Sequence, residues 1–103
     1  LFEQIMGQTP PIDAIFFCND DLAQGAVLAA NRMTIAVPGR VAIVGFNDLR
    51  GSDLMLPPLT TVHTPLARIG EEAADMLLKL MRHEVVPERC IDVGYTVVVR
   101  GST

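Results

Sequence analysis

The sequence has few cysteines, few basic residues and no long apolar run, and each shortage excludes a class of protein. Two cysteines in 103 residues are too few for the disulfide framework of a small secreted domain. The eight Lys and Arg residues are scattered along a chain of net charge −4, so they form no basic stripe that could neutralise a row of phosphates. The apolar runs are also much shorter than the roughly 20 residues that a membrane helix needs. We therefore expect neither direct nucleic-acid binding nor membrane insertion from this segment.

Motifs for phosphate binding, zinc binding and nucleophilic catalysis are missing as well. No glycine-rich phosphate loop or zinc-spaced cysteine pair occurs, and His63 and His83 lie too far apart for a metal-ligand motif. Cys18 precedes a predicted helix, but neither histidine is placed to act as its base, and a thiol inside an apolar run behaves as a small hydrophobe. The acid pair at 20–21 is also found in phospho-accepting signalling domains, but the only lysine, Lys79, falls in mid-helix. We predict no enzyme, no metal and no cofactor.

Half of the residues are hydrophobic, which is enough for a packed core, and their spacing alternates between strand and helix patterns. Apolar runs at 14–18 and 41–46 predict parallel strands that are covered on both faces. Between them, 21–33 has the period of a helix, with its buried side at Leu22, Ala26, Ala29 and Met33. The first residues, 1–6, have the pattern of a helix end. The order strand, helix, strand predicts an α/β fold.

The second half of the chain contains one further helix and two extended segments. Residues 47–58 have the composition of a loop, and residues 59–63 that of a short strand. Thr64 is expected to cap a helix that has Pro65 at its first position and runs to Arg82. The helix has one apolar side, formed by Ile69, Ala73, Met76, Leu77 and Leu80. Residues 90–100 alternate, which predicts a half-buried strand with Ile91, Val93, Tyr95, Val97 and Val99 on one face.

Polar side chains follow both central strands at the point where each strand ends. Asn19, Asp20 and Asp21 come after the first run, and Asn47 and Asp48 after the second. In an open parallel sheet, ligands bind beyond the carboxyl ends of the strands, where amides and carboxylates can contact several hydroxyls. The alternative is structural, because Asn and Asp are also common helix caps and loop residues. Both interpretations remain open from the pattern alone.

Four segments together resemble the effector-binding domain of the lactose-repressor family of bacterial transcription regulators. They occur in the family's order and span nearly the whole chain, at 11–26, 37–48, 57–62 and 98–103. The segment 91–95 further resembles the gluconate-type repressors. The resemblance implies a periplasmic-binding-protein-like fold of two lobes, with a sugar or other effector in the cleft. This chain would supply residues 1–62 and 91–103 to the carboxyl-terminal lobe and the helix within 63–90 to the amino-terminal lobe.

The same resemblance implies an effector site formed by Asn19, Asp20, Asn47 and Thr64. The family usually has Asp at the position of Asn47, and a carboxylate there would repel an acidic ligand. The amide fits a sugar acid such as gluconate, and it fits neutral hydroxyls equally well, because an amide both donates and accepts hydrogen bonds.

Resemblance to these repressors also implies the partners. We expect a homodimer with Gln24, Leu28, Leu54 and Met55 in its interface, and operator DNA bound only through an amino-terminal domain that this chain lacks. A cytoplasmic location fits two cysteines that need not pair. The opening at Leu1, without an initiator Met or targeting segment, suggests that the numbering begins inside a longer protein. The alternative from another class is a periplasmic sugar-binding protein of a transport system.

Overall fold

The computed structural model describes residues 2–103, within which it has three α-helices, one 3₁₀ turn and four strands. In chain order they are α1 (Phe2–Met6), β1 (Ala14–Phe16), α2 (Asp20–Arg32), β2 (Ala42–Phe46), a 3₁₀ turn (Ser52–Leu54), β3 (Thr60–His63), α3 (Leu66–Met81) and β4 (Thr96–Val98). The order matches the predicted order, and the boundaries of most elements differ by one or two residues. The part of the helix prediction that falls on Leu1 lies outside the described residues.

The four strands form one sheet in the order β1-β2-β3-β4. The first three are parallel, with Ile15 beside Ile43 and Val44 beside Thr60, whereas β4 runs antiparallel to β3. The prediction of an α/β fold with a mostly parallel sheet is confirmed. Because β1, β2 and β3 are parallel, their carboxyl ends lie at the same edge of the sheet, and the polar residues that follow them are brought together there.

Helix α2 packs on one face of this sheet through small side chains. The core consists of alanines from the helix and branched residues from the strands: Ala23, Ala26, Val27, Ala30, Val41, Ile43 and Leu59, with Phe2 of α1 at its margin. The buried side of α2 differs from the predicted one by a rotation about the helix axis, as the half-exposed Leu22 shows. The inward side begins at Asp20 and continues through Ala23 and Val27, since alanine allows a helix to approach a sheet closely.

Within residues 2–103 the opposite face of β1 is uncovered, whereas the sequence predicts a strand covered on both faces. Ile15 and Phe17 pack against the core. Phe16 points the other way, is 62% exposed and contacts Phe46 edge-on, with ring centroids 6.4 Å apart. Cys18 is also exposed, so it is not the buried hydrophobe that the apolar run suggested.

The chain divides into two compact units. One runs up to His63 and includes Thr96–Thr103, and the other is Thr64–Tyr95. In the second unit, α3 begins at Leu66 with Pro65 at the N-cap position, so the predicted cap at Thr64 is wrong. The Leu66 amide donates to the backbone oxygen of Thr64 at 2.8 Å, and this tight turn moves the helix start one residue on.

Helix α3 has the predicted amphipathic pattern, although none of its residues is fully buried. Lys79 donates to the carboxylate of Asp75 one turn earlier, at 2.6 Å, and this hydrogen bond and the negative charge of Asp75 raise the pKa of Lys79. A groove of about 330 Å³ lies along the apolar side, lined by Ile69, Glu72, Ala73, Met76, Ile91 and Val93. No helix within residues 2–103 combines the length and the apolar character needed to cross a bilayer.

The strand predicted over 90–100 is much shorter than expected. Ile91 and Val93 belong to the groove beside α3, and only Thr96–Val98 pairs with β3. Gly94 has φ +73 and its amide donates to the Asp92 carboxylate at 2.8 Å, which turns the chain between the two parts. Of the predicted buried face, Tyr95, Val97 and Val99 are exposed.

Candidate functional site

Asn19 forms the N-cap of α2 at the carboxyl end of β1. Its backbone is extended, with φ −155° and ψ 163°, and its side-chain oxygen accepts a hydrogen bond from the Leu22 amide at 2.9 Å. This is the standard geometry of a helix cap. The structural interpretation of Asn19 is therefore confirmed, and the residue stands where the edge of the sheet meets the helix N-terminus.

Asp20, which the resemblance places in the effector site, is buried and does not face solvent. Its carboxylate has no exposed surface and accepts hydrogen bonds from the Leu49 amide at 2.7 Å, the Ser52 hydroxyl at 2.7 Å and the Thr61 hydroxyl at 2.6 Å. Three donors around one carboxylate satisfy a buried charge that would otherwise be very costly. Asp20 thus ties α2, the segment after β2, and β3 into one rigid edge.

The close approach of Asp20 depends on Gly45 in β2. A Cβ atom added to Gly45 would lie 2.0 Å from Asp20 Oδ1 and 3.1 Å from Leu59 Cδ2. No side chain larger than hydrogen fits there unless the carboxylate moves. The buried position of the Asp20 carboxylate therefore requires glycine at residue 45.

Asn47 and Asp48 form a turn with two successive residues in the left-handed region, at φ 99° and 52°. The Asn47 amide donates to the backbone oxygen of Val62 at 2.8 Å, which continues the pairing of β2 with β3. The next amide, of Asp48, donates to the Thr61 hydroxyl at 3.3 Å, and Leu49 follows with its bond to Asp20. Three consecutive backbone amides thus contribute to holding the turn.

The Asp48 carboxylate lies between two basic side chains. Arg100 Nη2 donates to Asp48 Oδ1 at 2.8 Å, and His63 Nδ1 is 3.2 Å from Asp48 Oδ2. Arg100 and Asp48 are about one-fifth exposed, whereas His63 is about half exposed. Arg100 lies in the segment 98–103 that carries the family resemblance, but its partners are 41 and 52 residues away, so local sequence does not predict its contact with Asp48.

The predicted site residues therefore fall in different places. Asn19 and Asn47 follow adjacent parallel strands of the first unit, and the buried Asp20 ties the start of α2 to the segment after β2. Thr64 belongs to the second unit, where it is half-buried. In the described part of the chain, no cluster of three His, Cys, Asp or Glu residues has the arrangement of a metal site.

The four predicted interface residues differ in how they contact the fold. Leu28 and Leu54 are exposed, at 56% and 82%. Gln24 donates through Nε2 to the Arg50 backbone oxygen at 3.3 Å and to the Ser52 hydroxyl at 3.1 Å, and Met55 packs partly against the core. Leu28 and Leu54 are thus the two whose apolar side chains are exposed.

Comparison with known proteins identifies relatives over the full length of the chain. The model of the periplasmic binding protein-like domain matches residues 2–103. The HTH-type transcriptional regulator GntR of Pseudomonas aeruginosa is 46% identical over 103 residues, which are all of this chain and 30% of that protein. The HTH-type transcriptional repressor PurR of Erwinia tasmaniensis is 35% identical over 97% of this chain and 29% of that protein. The chain spans about a third of the length of these relatives.

The chain is also similar to solved structures of transcriptional regulators. Transcription regulator GntR from Chromobacterium violaceum matches with a TM-score of 0.86 and 44% identity, covering 98% of this chain and 37% of that one. A LacI family regulator from Lactobacillus casei, solved with bound sucrose, matches with a TM-score of 0.80 and 28% identity over 99% of this chain and 38% of that one. Both are regulators that contain a domain of this fold.

Proposed function

Since the chain belongs to the periplasmic binding protein-like domains of LacI-family transcriptional regulators, we propose that it is the carboxyl-terminal part of an effector-binding domain. The effector is a sugar or a sugar acid, and its binding controls the attachment of the full-length protein to operator DNA. The observation that carries the proposal is the position of Asn19 and Asn47 after adjacent parallel strands, on a rigid edge. Amides at such an edge bind hydroxyl groups from a preformed position.

Asn19, Asp20, Asn47 and Thr64 are the proposed effector site, in which the buried Asp20 acts by supporting the start of α2 and the segment after β2. The Asn47 amide carries no charge where the family resemblance leads us to expect a carboxylate. An uncharged amide does not repel the carboxylate of a sugar acid such as gluconate. The bound sucrose of the Lactobacillus casei regulator supports a carbohydrate ligand in general.

The two units correspond to parts of two lobes in this proposal. The helix within 63–90 is assigned to the amino-terminal lobe, and residues 1–62 and 91–103 to the carboxyl-terminal lobe, although residues 91–95 group with the helix in the second unit. Two observations support the assignment. The chain divides at His63, and α3 leaves Leu77 and Leu80 half exposed, as expected for a helix whose sheet lies in another part of the protein.

Control of DNA binding would follow from a shift between two lobe arrangements. An effector changes their populations only to the extent that it binds one arrangement more tightly. Operator DNA would be held by an amino-terminal helix-turn-helix outside this segment, since the net charge of −4 here does not favour contact with phosphates. The function is ligand binding without catalysis, and a regulator of this kind acts in the cytoplasm.

A homodimer is the proposed assembly, with its interface over Gln24, Leu28, Leu54 and Met55. The exposed Leu28 and Leu54 support it, because large apolar side chains on a solvated surface often mark a protein contact. The alternative of a periplasmic transport protein receives no support from the relatives, which are named as transcriptional regulators.

A thermal-shift screen of neutral sugars and sugar acids against the full-length protein tests the proposal. A ligand present at 100 times its Kd should stabilise the protein by about 2.7 kcal/mol, which raises its melting temperature by several degrees. The ligand that stabilises the protein should also change its affinity for operator DNA, in either direction. A protein that responds to no carbohydrate would refute the proposed function.

A further inference from the structure

The turn at Asn47 and Asp48 adopts a conformation that these residues rarely take on their own. Two consecutive residues other than glycine have positive φ, at 99° and 52°. Such backbone conformations cost free energy and persist only where the surrounding structure holds them. A group that holds this turn therefore controls the direction in which the Asn47 side chain is presented.

Arg100 contacts the turn with a geometry suited to that task. Its planar guanidinium donates from Nη2 to Asp48 Oδ1 and from Nη1 to the backbone oxygen of Leu59, both at 2.8 Å. Two acceptors on one rigid fork fix the direction of the carboxylate as well as its distance. The carboxylate of Asp48 is thereby held to the backbone just before β3.

The backbone that carries Arg100 is itself anchored. The Arg100 amide donates to the Thr60 hydroxyl at 2.8 Å, and the buried Ser102 hydroxyl accepts from the Thr60 amide at 2.8 Å. Between them, Gly101 packs so closely that an added Cβ would lie 3.2 Å from side-chain atoms of both Pro57 and Pro58. The guanidinium therefore extends from a fixed point of the fold.

We propose that Arg100 is a positioning residue for the effector: through Asp48 it holds the turn in the conformation that presents Asn47 to the ligand. This inference rests on the proposed function. Without these two hydrogen bonds of Arg100, the turn also adopts conformations that do not bind the effector. The apparent Kd then rises in inverse proportion to the fraction of molecules in the binding-competent conformation. A fall of that fraction to a tenth weakens binding about tenfold, or about 1.4 kcal/mol.

The test compares variants of the full-length regulator with D-gluconate as the probe, by calorimetry well below the melting temperature. Arg100→Gln and Asp48→Asn should each weaken binding about tenfold, and the double variant should lose little more, because both changes break the same contact. Arg100→Lys should recover only part of the affinity, since lysine keeps the charge without the fork. Arg40→Gln is the matched control, because Arg40 donates to the Ile12 backbone oxygen at 2.7 Å away from the turn.

Hydrogen exchange at the Asp48 and Leu49 amides supplies a readout that needs no ligand. Exchange there should accelerate in Arg100→Gln and in Asp48→Asn and stay unchanged in Arg40→Gln. Gluconate affinities equal to the control, or exchange rates equal to the parent protein, would overturn the positioning role while leaving the proposed function intact. If the parent protein binds no carbohydrate at all, the proposed function fails, and the exchange rates still decide whether Arg100 holds the turn.

Discussion

The Thr61 hydroxyl donates to the Asp20 carboxylate at 2.6 Å and accepts from the Asp48 amide at 3.3 Å. One hydroxyl thus joins a buried acid, 41 residues earlier in the chain, to the turn that follows β2. The carboxyl ends of β2 and β3 and the start of α2 are held as a single unit.

Asp20→Ala should destabilise the protein by about 3 to 5 kcal/mol, because it leaves three buried donors without an acceptor. Its neighbour Asp21, which is exposed in the same turn of α2, provides the control. Asp21→Ala should cost less than about 1 kcal/mol, mainly through the helix dipole. Urea denaturation of both variants measures the difference, and equal losses would show that the buried network contributes little.

Gly45→Ala should also destabilise the fold, by about 1 to 3 kcal/mol, because the new methyl group would overlap the Asp20 carboxylate. Gly25 in α2 has nothing within 4 Å of the position of an added Cβ. There the same substitution should stabilise the protein by about 0.5 to 1 kcal/mol, since alanine favours a helix interior. Denaturation curves that shift in the same direction for both variants would contradict this account of Gly45.

The sequence predicts the α/β order well, because the apolar runs around Ile15 and Ile43 are short, β-rich and separated by a helical period. It does not reveal the rotation of α2. Asp20 lies on the same side of the helix as Ala23 and Val27, three and seven residues further on. The helical period is therefore consistent with a buried Asp20. A charged residue is assigned to the surface by default, and only its three distant donors make the inward position favourable.

Long-range partners account for the other differences between prediction and structure. Arg100 meets Asp48 only because β4 pairs with β3, and the extent of β4 depends on the turn at Gly94. The alternation of 90–100 predicts one strand, although Ile91 and Val93 lie beside α3. The open face of Phe16 similarly depends on what packs against the sheet, which local sequence does not encode.

Asn19 combines two roles that substitution can separate. Asn19→Ala removes the cap and should cost about 1 kcal/mol of stability, whereas Asn19→Ser keeps a capping oxygen and should cost much less. Both should weaken the effector, by about 1 to 3 kcal/mol for alanine, because a ligand hydroxyl loses its partner. Thermal denaturation and calorimetry on the same samples compare the two losses. Full affinity in the alanine variant would leave Asn19 as a cap only.

Leu54→Asp should shift the full-length protein from dimer toward monomer without unfolding it, because Leu54 is 82% exposed and a charge in an apolar interface is costly. Met55 is a poorer choice, since its contact with the core makes a substitution report on folding. Val85→Asp is the control at an equally exposed valine of the second unit. Sedimentation at micromolar concentration measures the mass, and a dimer that survives Leu54→Asp excludes Leu54 from the interface.

Calorimetry of Asn47→Asp in the full-length protein tests the central claim, that the amide after β2 binds the effector and accommodates its charge. The substitution is nearly isosteric and adds one negative charge. D-gluconate should therefore bind far more weakly to the variant, whereas a neutral sugar analogue should lose much less, and added salt should restore gluconate binding only in part within a closed cleft. Equal losses for both ligands, or unchanged affinity for gluconate, would contradict the assignment of Asn47.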